Sequence, residues 1–160
     1  MRKMLSAALL MCMATLLSTL SMPTVLARPN GILKCELSME INWGFLLDPS
    51  EPSFIGTVSG DINGYLYIYL KEASYPGKTE HFSEKWKIVT YDGDIIEGFD
   101  EGVWSFHNLK WVANGRVTSA SGAWSYLVGA NFQYSGTTTP VYGPPTPVYG
   151  TGTLHITSRP

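Results

Sequence analysis

The chain has 160 residues, 44% of them hydrophobic and only 15% charged, with a formal net charge of −2. That balance excludes a disordered polyelectrolyte and argues against a basic surface built for nucleic acid or anionic lipid. Two cysteines are too few for a disulfide-stapled scaffold, so stability must come from a packed core.

Residues 1–27 read as an export signal. Arg2 and Lys3 give a positive start, Met4 to Leu20 is almost wholly apolar, and Pro23 precedes Val25-Leu26-Ala27, where small residues suit a signal peptidase. Cleavage after Ala27 is expected, with the product secreted or otherwise extracytoplasmic. The alternative is an uncleaved anchor, because the apolar stretch approaches the roughly 20 residues of a membrane span. Cys12 would leave with the signal. The remaining 28–160 make one domain of 133 residues, with nine basic against 13 acidic side chains.

From Leu33 to Trp43 every odd position is apolar and every even one polar, the pattern of a half-buried strand that puts Cys35 on its apolar side. Two prolines within Asp48 to Pro52 end it. Phe54 to Ser59 resumes strand character, and Gly60-Asp61-Ile62-Asn63-Gly64 predicts a tight reversal. In Tyr65 to Leu70, three tyrosines alternate with three aliphatics, so the two sets lie on opposite faces. Pro76-Gly77 turns the chain, Trp86 to Tyr91 is a strand, and Asp92-Gly93 turns it again.

A strand is predicted over Val103 to Val112, where Trp104 and Phe106 share one phase and Leu109 and Trp111 the other. Either a bulge near His107-Asn108 switches the pattern or both faces are buried. Asn114-Gly115 carries a hairpin signal, and strands follow over Val117 to Ala120, Ala123 to Tyr134 and Thr151 to Thr157. Between them, the segment from about 136 to 150 writes Thr-Pro-Val-Tyr-Gly twice, a proline- and tyrosine-rich loop. Few ladder bonds are expected of such a loop, so its excision should leave the domain folded. The whole reads as an all-β domain of about eight strands, a single antiparallel barrel, with a β-sandwich as the alternative.

Asn114 to Gly122, leading into Trp124-Ser125-Tyr126-Leu127-Val128-Gly129, resembles the turn, strand, Ala-x-Gly, strand arrangement of allene oxide cyclase-like and dirigent-like barrels, of calycin type. The closing Gly150 to Ile156 is similar to the ends of small exported barrels of this kind. The resemblance implies an eight-stranded barrel with an apolar lumen, in families that often form trimers. No catalytic residue of the plant cyclases matches a position here, and the proline-rich duplication lies outside the pattern.

His81, His107 and His155 lack the short spacings of a zinc site, so no metal is expected. Asp92, Asp94, Glu97, Asp100 and Glu101 lack the register of a helix-loop-helix calcium site and read as a solvated acidic hairpin. Nucleophile-elbow, phosphate-loop and paired-histidine motifs are absent, and no cofactor is implied. The surplus of aromatics with polar tips is more informative. It nominates Tyr65, Tyr67, Tyr69, Trp86, Trp104, His107, Trp111, Trp124 and Tyr126 as candidate ligand-binding residues. The leading expectation is an exported, noncatalytic barrel that binds a small apolar or aromatic molecule. A cyclase-like or isomerase-like enzyme on the same barrel, and a structural or adhesive surface protein acting through the tyrosine-proline loop, are the alternatives.

Overall fold

The computed structural model describes residues 31–158; the expected signal peptide lies outside them. Eight antiparallel strands, each paired with its sequence neighbours, close into one barrel when β1 pairs with β8. They are β1 (Ile32–Ile41), β2 (Phe54–Gly60), β3 (Gly64–Ser74), β4 (Thr79–Thr90), β5 (Ile95–Ser105), β6 (Lys110–Ala120), β7 (Asn131–Thr138) and β8 (Tyr149–Thr157). Closure leaves no unpaired sheet edge, which answers the choice between barrel and sandwich. No helix among the described residues is long and apolar enough to cross a membrane.

The strict alternation of β1 puts Leu33, Cys35, Leu37 and Met39 inside. On β3 the aliphatics Leu66 and Ile68 are buried, while Tyr65 is exposed and Tyr67 and Tyr69 are half-buried on the outer face. The inner faces of β4 and β5 run Glu80, Phe82, Glu84, Trp86, Ile88 against Trp104, Gly102, Asp100, Gly98, Ile96, each pair in direct register. Large rings lie over glycines here: a Cβ on Gly98 would strike the Trp86 ring, and one on Gly102 the Phe82 ring. Trp111 likewise lies over Gly136 of β7 and Gly152 of β8. Such large-to-small interleaving lets wide rings fit inside a narrow barrel.

Three predicted elements differ from the structure. Val103 to Val112 is not one strand: the chain reverses over Phe106 to Leu109, where Asn108 Oδ1 accepts from Lys110 N–H at 3.0 Å and Leu109 takes φ 61°. The switch of apolar phase is therefore a hairpin and not a bulge. Asn114-Gly115 conversely lies in mid-strand, Gly115 paired with both Asp100 and Phe132. The start of the predicted strand Ala123 to Tyr134 is a 3-10 turn (Gly122–Leu127), entered at Gly122 with φ 52° and left at Gly129 with φ 84°.

One end of the barrel is solid. Leu127 of that 3-10 turn and Ile62 of the β2–β3 turn are fully buried and close it together with Ile88, Ile96 and Ile156. Cys35 belongs to this packing: Ile62 N–H donates to its Sγ at 3.4 Å, and burial raises the thiol pKa. In the native protein Cys35 is expected to resist iodoacetamide at neutral pH and to react fully only in denaturant, as mass spectrometry would read. Reducing agent should then leave thermal stability unchanged.

Candidate functional site

The other end of the barrel is open. A cavity of about 250 Å³ enters the lumen there, walled by the aromatic rings of Trp43, Phe54, Phe82, Trp104, Phe106 and Trp111. Its walls come from strands on that side: β1 with the 3-10 turn that follows it (Trp43–Leu46), the start of β2, β3, the start of β4, the β5–β6 hairpin and β7. Met39, Ile41, Ile68 and Leu70 add aliphatic surface. Trp104 packs on both Phe54, at 6.1 Å between ring centroids, and Phe106, at 5.0 Å.

The tyrosine-proline loop crosses this mouth. It spans residues 139–148 between β7 and β8; Val141 lines the cavity, Val148 is fully buried, and Tyr142 and Tyr149 face solvent. Ile41 N–H donates to the Val148 carbonyl at 2.9 Å and Trp43 Nε1–H to the Thr146 carbonyl at 2.8 Å. Loop excision would thus remove a core side chain and two anchoring bonds, so it acts on the barrel as well as on the surface.

The polar groups of the lumen are acidic. Glu80, Glu84 and Asp100 are all buried, whereas no Lys, Arg or His among the described residues is. Glu84 and Asp100 face each other across the β4–β5 ladder. Tyr134 Oη donates to Glu84 Oε2 at 2.6 Å, a short bond to a carboxyl oxygen. Neither Asp100 oxygen has a hydrogen-bond partner among the described residues. Burial, with the neighbouring Glu84 and Glu101 adding to it, pushes the Asp100 pKa up to about 9. Burial likewise lifts Glu84 to about 7, against the pull of the Tyr134 hydroxyl, and lifts Glu80, against that of Tyr75. Tyr134 is itself raised by burial and by the two carboxyls beside it. Near neutral pH this cluster holds protons that the same side chains would shed in water.

Further buried donors have no partner among the described residues: the indole N–H groups of Trp86, Trp104 and Trp111, and the Thr138 hydroxyl. Trp104, Trp111 and Thr138 line the cavity. An apolar vessel with a few unmet polar groups in its wall is the usual form of a small-molecule site.

Of the residues nominated from sequence, Trp104 and Trp111 line this cavity. Trp86 lies deeper, stacked on Phe132 at 3.9 Å. Tyr65, Tyr67 and Tyr69 are on the outside of the barrel, because the strand's phase sends the aliphatics inward; Tyr65 packs edge-on against Tyr91. His107 is exposed in the β5–β6 hairpin, and Trp124 and Tyr126 sit on the 3-10 turn at the opposite, closed end. None of these six lines the cavity. The acidic run does not converge either: Asp94 Oδ2 accepts from Ala123 N–H at 3.1 Å, while Asp100 points inward and Glu101 outward. Among the described residues no group of metal-ligating side chains forms.

Sequence reasoning missed Glu80, Glu84 and Tyr134. Their signal was phase. Glu80, Phe82 and Glu84 continue the inward set of Trp86 and Ile88, a reading that required the strand to start seven residues before Trp86. The barrel is compatible with the calycin-like architecture that the resemblance implies. No family model, curated protein or solved structure matches the chain, so the allene oxide cyclase-like or dirigent-like resemblance has no support beyond that architecture.

Proposed function

We propose that this protein is an exported carrier or receptor for a small, mainly apolar or aromatic molecule, held in the open end of the barrel. The observation that carries the reading is the aromatic-walled cavity of about 250 Å³, with unpartnered indole N–H groups and a buried carboxyl in its wall. A cavity with so much apolar lining favours a ligand that buries apolar surface there and supplies acceptors to the indoles.

The test is titration with N-phenyl-1-naphthylamine, an uncharged probe whose fluorescence rises in apolar surroundings. Saturable enhancement with stoichiometry near one is expected. Leu70→Trp, which fills the mouth, should weaken binding at least tenfold, whereas Tyr67→Trp on the outer face should leave it unchanged. Absence of saturable binding, or equal effects of the two substitutions, would contradict the reading.

A second reading, an isomerase or cyclase working by proton transfer, is favoured by the Glu84–Asp100 pair with Tyr134. Raised carboxyl pKa values near neutrality suit general acid–base chemistry. It would require turnover of a bound compound that Glu84→Gln abolishes without loss of binding.

A further inference from the structure

The polarity of the lumen narrows the ligand further. A buried carboxyl is normally matched by a buried cation or by several hydrogen-bond donors. Among the described residues Glu84 has one donor, Tyr134 Oη, and Asp100 directly across the ladder has none. The described part of the chain turns no Lys, Arg or His into the barrel to balance them. Glu84 is on the cavity wall, and Glu80 lies four residues nearer the mouth on the same inner face of β4. Between and around them stand Phe82, Trp104 and Trp111, whose ring faces attract cations.

From this arrangement, and resting on the lumen-binding reading above, we infer that the ligand is a cationic amine: an apolar or aromatic body with an ammonium group seated at Glu84. The ammonium supplies the positive charge that the chain itself withholds from the lumen. Glu80, at the rim, adds negative potential along the entry path. The rings surround the body and the N–H face at once. A carboxylate ligand would meet two acidic side chains on the wall, Glu80 and Glu84, with Asp100 across the ladder from Glu84, and a neutral ligand would leave the buried carboxyl pair as unmatched as before. Seating of the ammonium favours the ionised form of Glu84, so binding near neutral pH should expel protons from the cluster of Glu84, Asp100, Glu80 and Tyr134, on which Glu101 from the outer face of β5 and Tyr75 beside Glu80 also act.

The experiment compares three probes of one shape on the mature protein: 2-phenylethylamine, 2-phenylethanol and phenylacetate, each read by displacement of N-phenyl-1-naphthylamine and by calorimetry. The amine is expected to bind at least tenfold more tightly than the alcohol at pH 7.5, with phenylacetate weakest. Amine affinity should rise from pH 5 to 8 while alcohol affinity stays flat. Heats in buffers of different ionisation enthalpy should show proton release on amine binding alone. Glu84→Gln should bring the amine-to-alcohol ratio toward one, and Glu80→Gln should lower it less. If the alcohol binds as well as the amine, or Glu84→Gln leaves the ratio intact, the cationic ligand is wrong and the apolar-ligand reading stands. If neither compound nor the naphthylamine binds, the lumen-binding reading fails first and this inference with it.

Discussion

Asp100→Asn is expected to make the protein more stable at pH 8, by on the order of 2 kcal/mol, with the gain vanishing near pH 4. The sign follows from proton counts. Asp100 is fully buried with both oxygens unpartnered, and its pKa stands near 9 in the fold against about 4 in an unfolded chain. Below pH 4 both states hold the proton, so ionisation of the side chain adds no cost. Between pH 4 and 9 the unfolded chain releases a proton that the folded one keeps, so stability falls as pH rises through that window. Glu84 adds to the slope only up to about pH 7. The neutral amide removes the Asp100 part. Urea denaturation of the parent and the variant at several pH values reads the effect directly; parallel stability curves would show that Asp100 is ionised in the fold at neutral pH.

Gly115→Ala should be among the most damaging single methyl additions in the barrel, costing about 3 kcal/mol. Gly115 sits in mid-strand opposite Asp100, and an added Cβ would strike the Phe99 carbonyl oxygen and the Cα and Cβ of Asp100. The first of these is backbone of the neighbouring strand, which cannot turn aside as a flexible side chain would. Gly31→Ala is the control, since a Cβ there meets nothing within 4 Å. It should shift stability by less than about 0.5 kcal/mol. Thermal melts of both variants decide the matter, and equal melting temperatures would mean that β5 and β6 are not held at this spacing.

Gly115 also shows why part of the molecule was legible in its sequence and part was not. Asn-Gly is a good turn signal only when the chain has no better use for a missing side chain, and here the space goes to an inward carboxyl on the next strand. Local patterns revealed what they control: the alternation of β1, the reversals at Gly60 to Gly64 and at Asp92-Gly93, and the opposite faces of Tyr65 to Leu70. They do not say which face is inside. Three tyrosines in phase read as a site, yet closure of the barrel turned Leu66 and Ile68 inward and left the tyrosines on the outer face. The acidic lumen was hidden for a related reason. Glu84, Asp100 and Tyr134 come from three strands and meet only through register, so no spacing along the chain marks them.

The measurement that bears most directly on lumen binding is a titration of the tryptophan indole N–H signals in a ¹H–¹⁵N correlation spectrum with N-phenyl-1-naphthylamine. Trp43, Trp104 and Trp111 line the cavity, Trp86 lies beneath it, and Trp124 is on the 3-10 turn at the closed end. A ligand entering the open end should shift Trp104 and Trp111 most and leave Trp124 in place. Shifts confined to Trp124, or no shift in any indole at saturating probe, would contradict binding in the barrel.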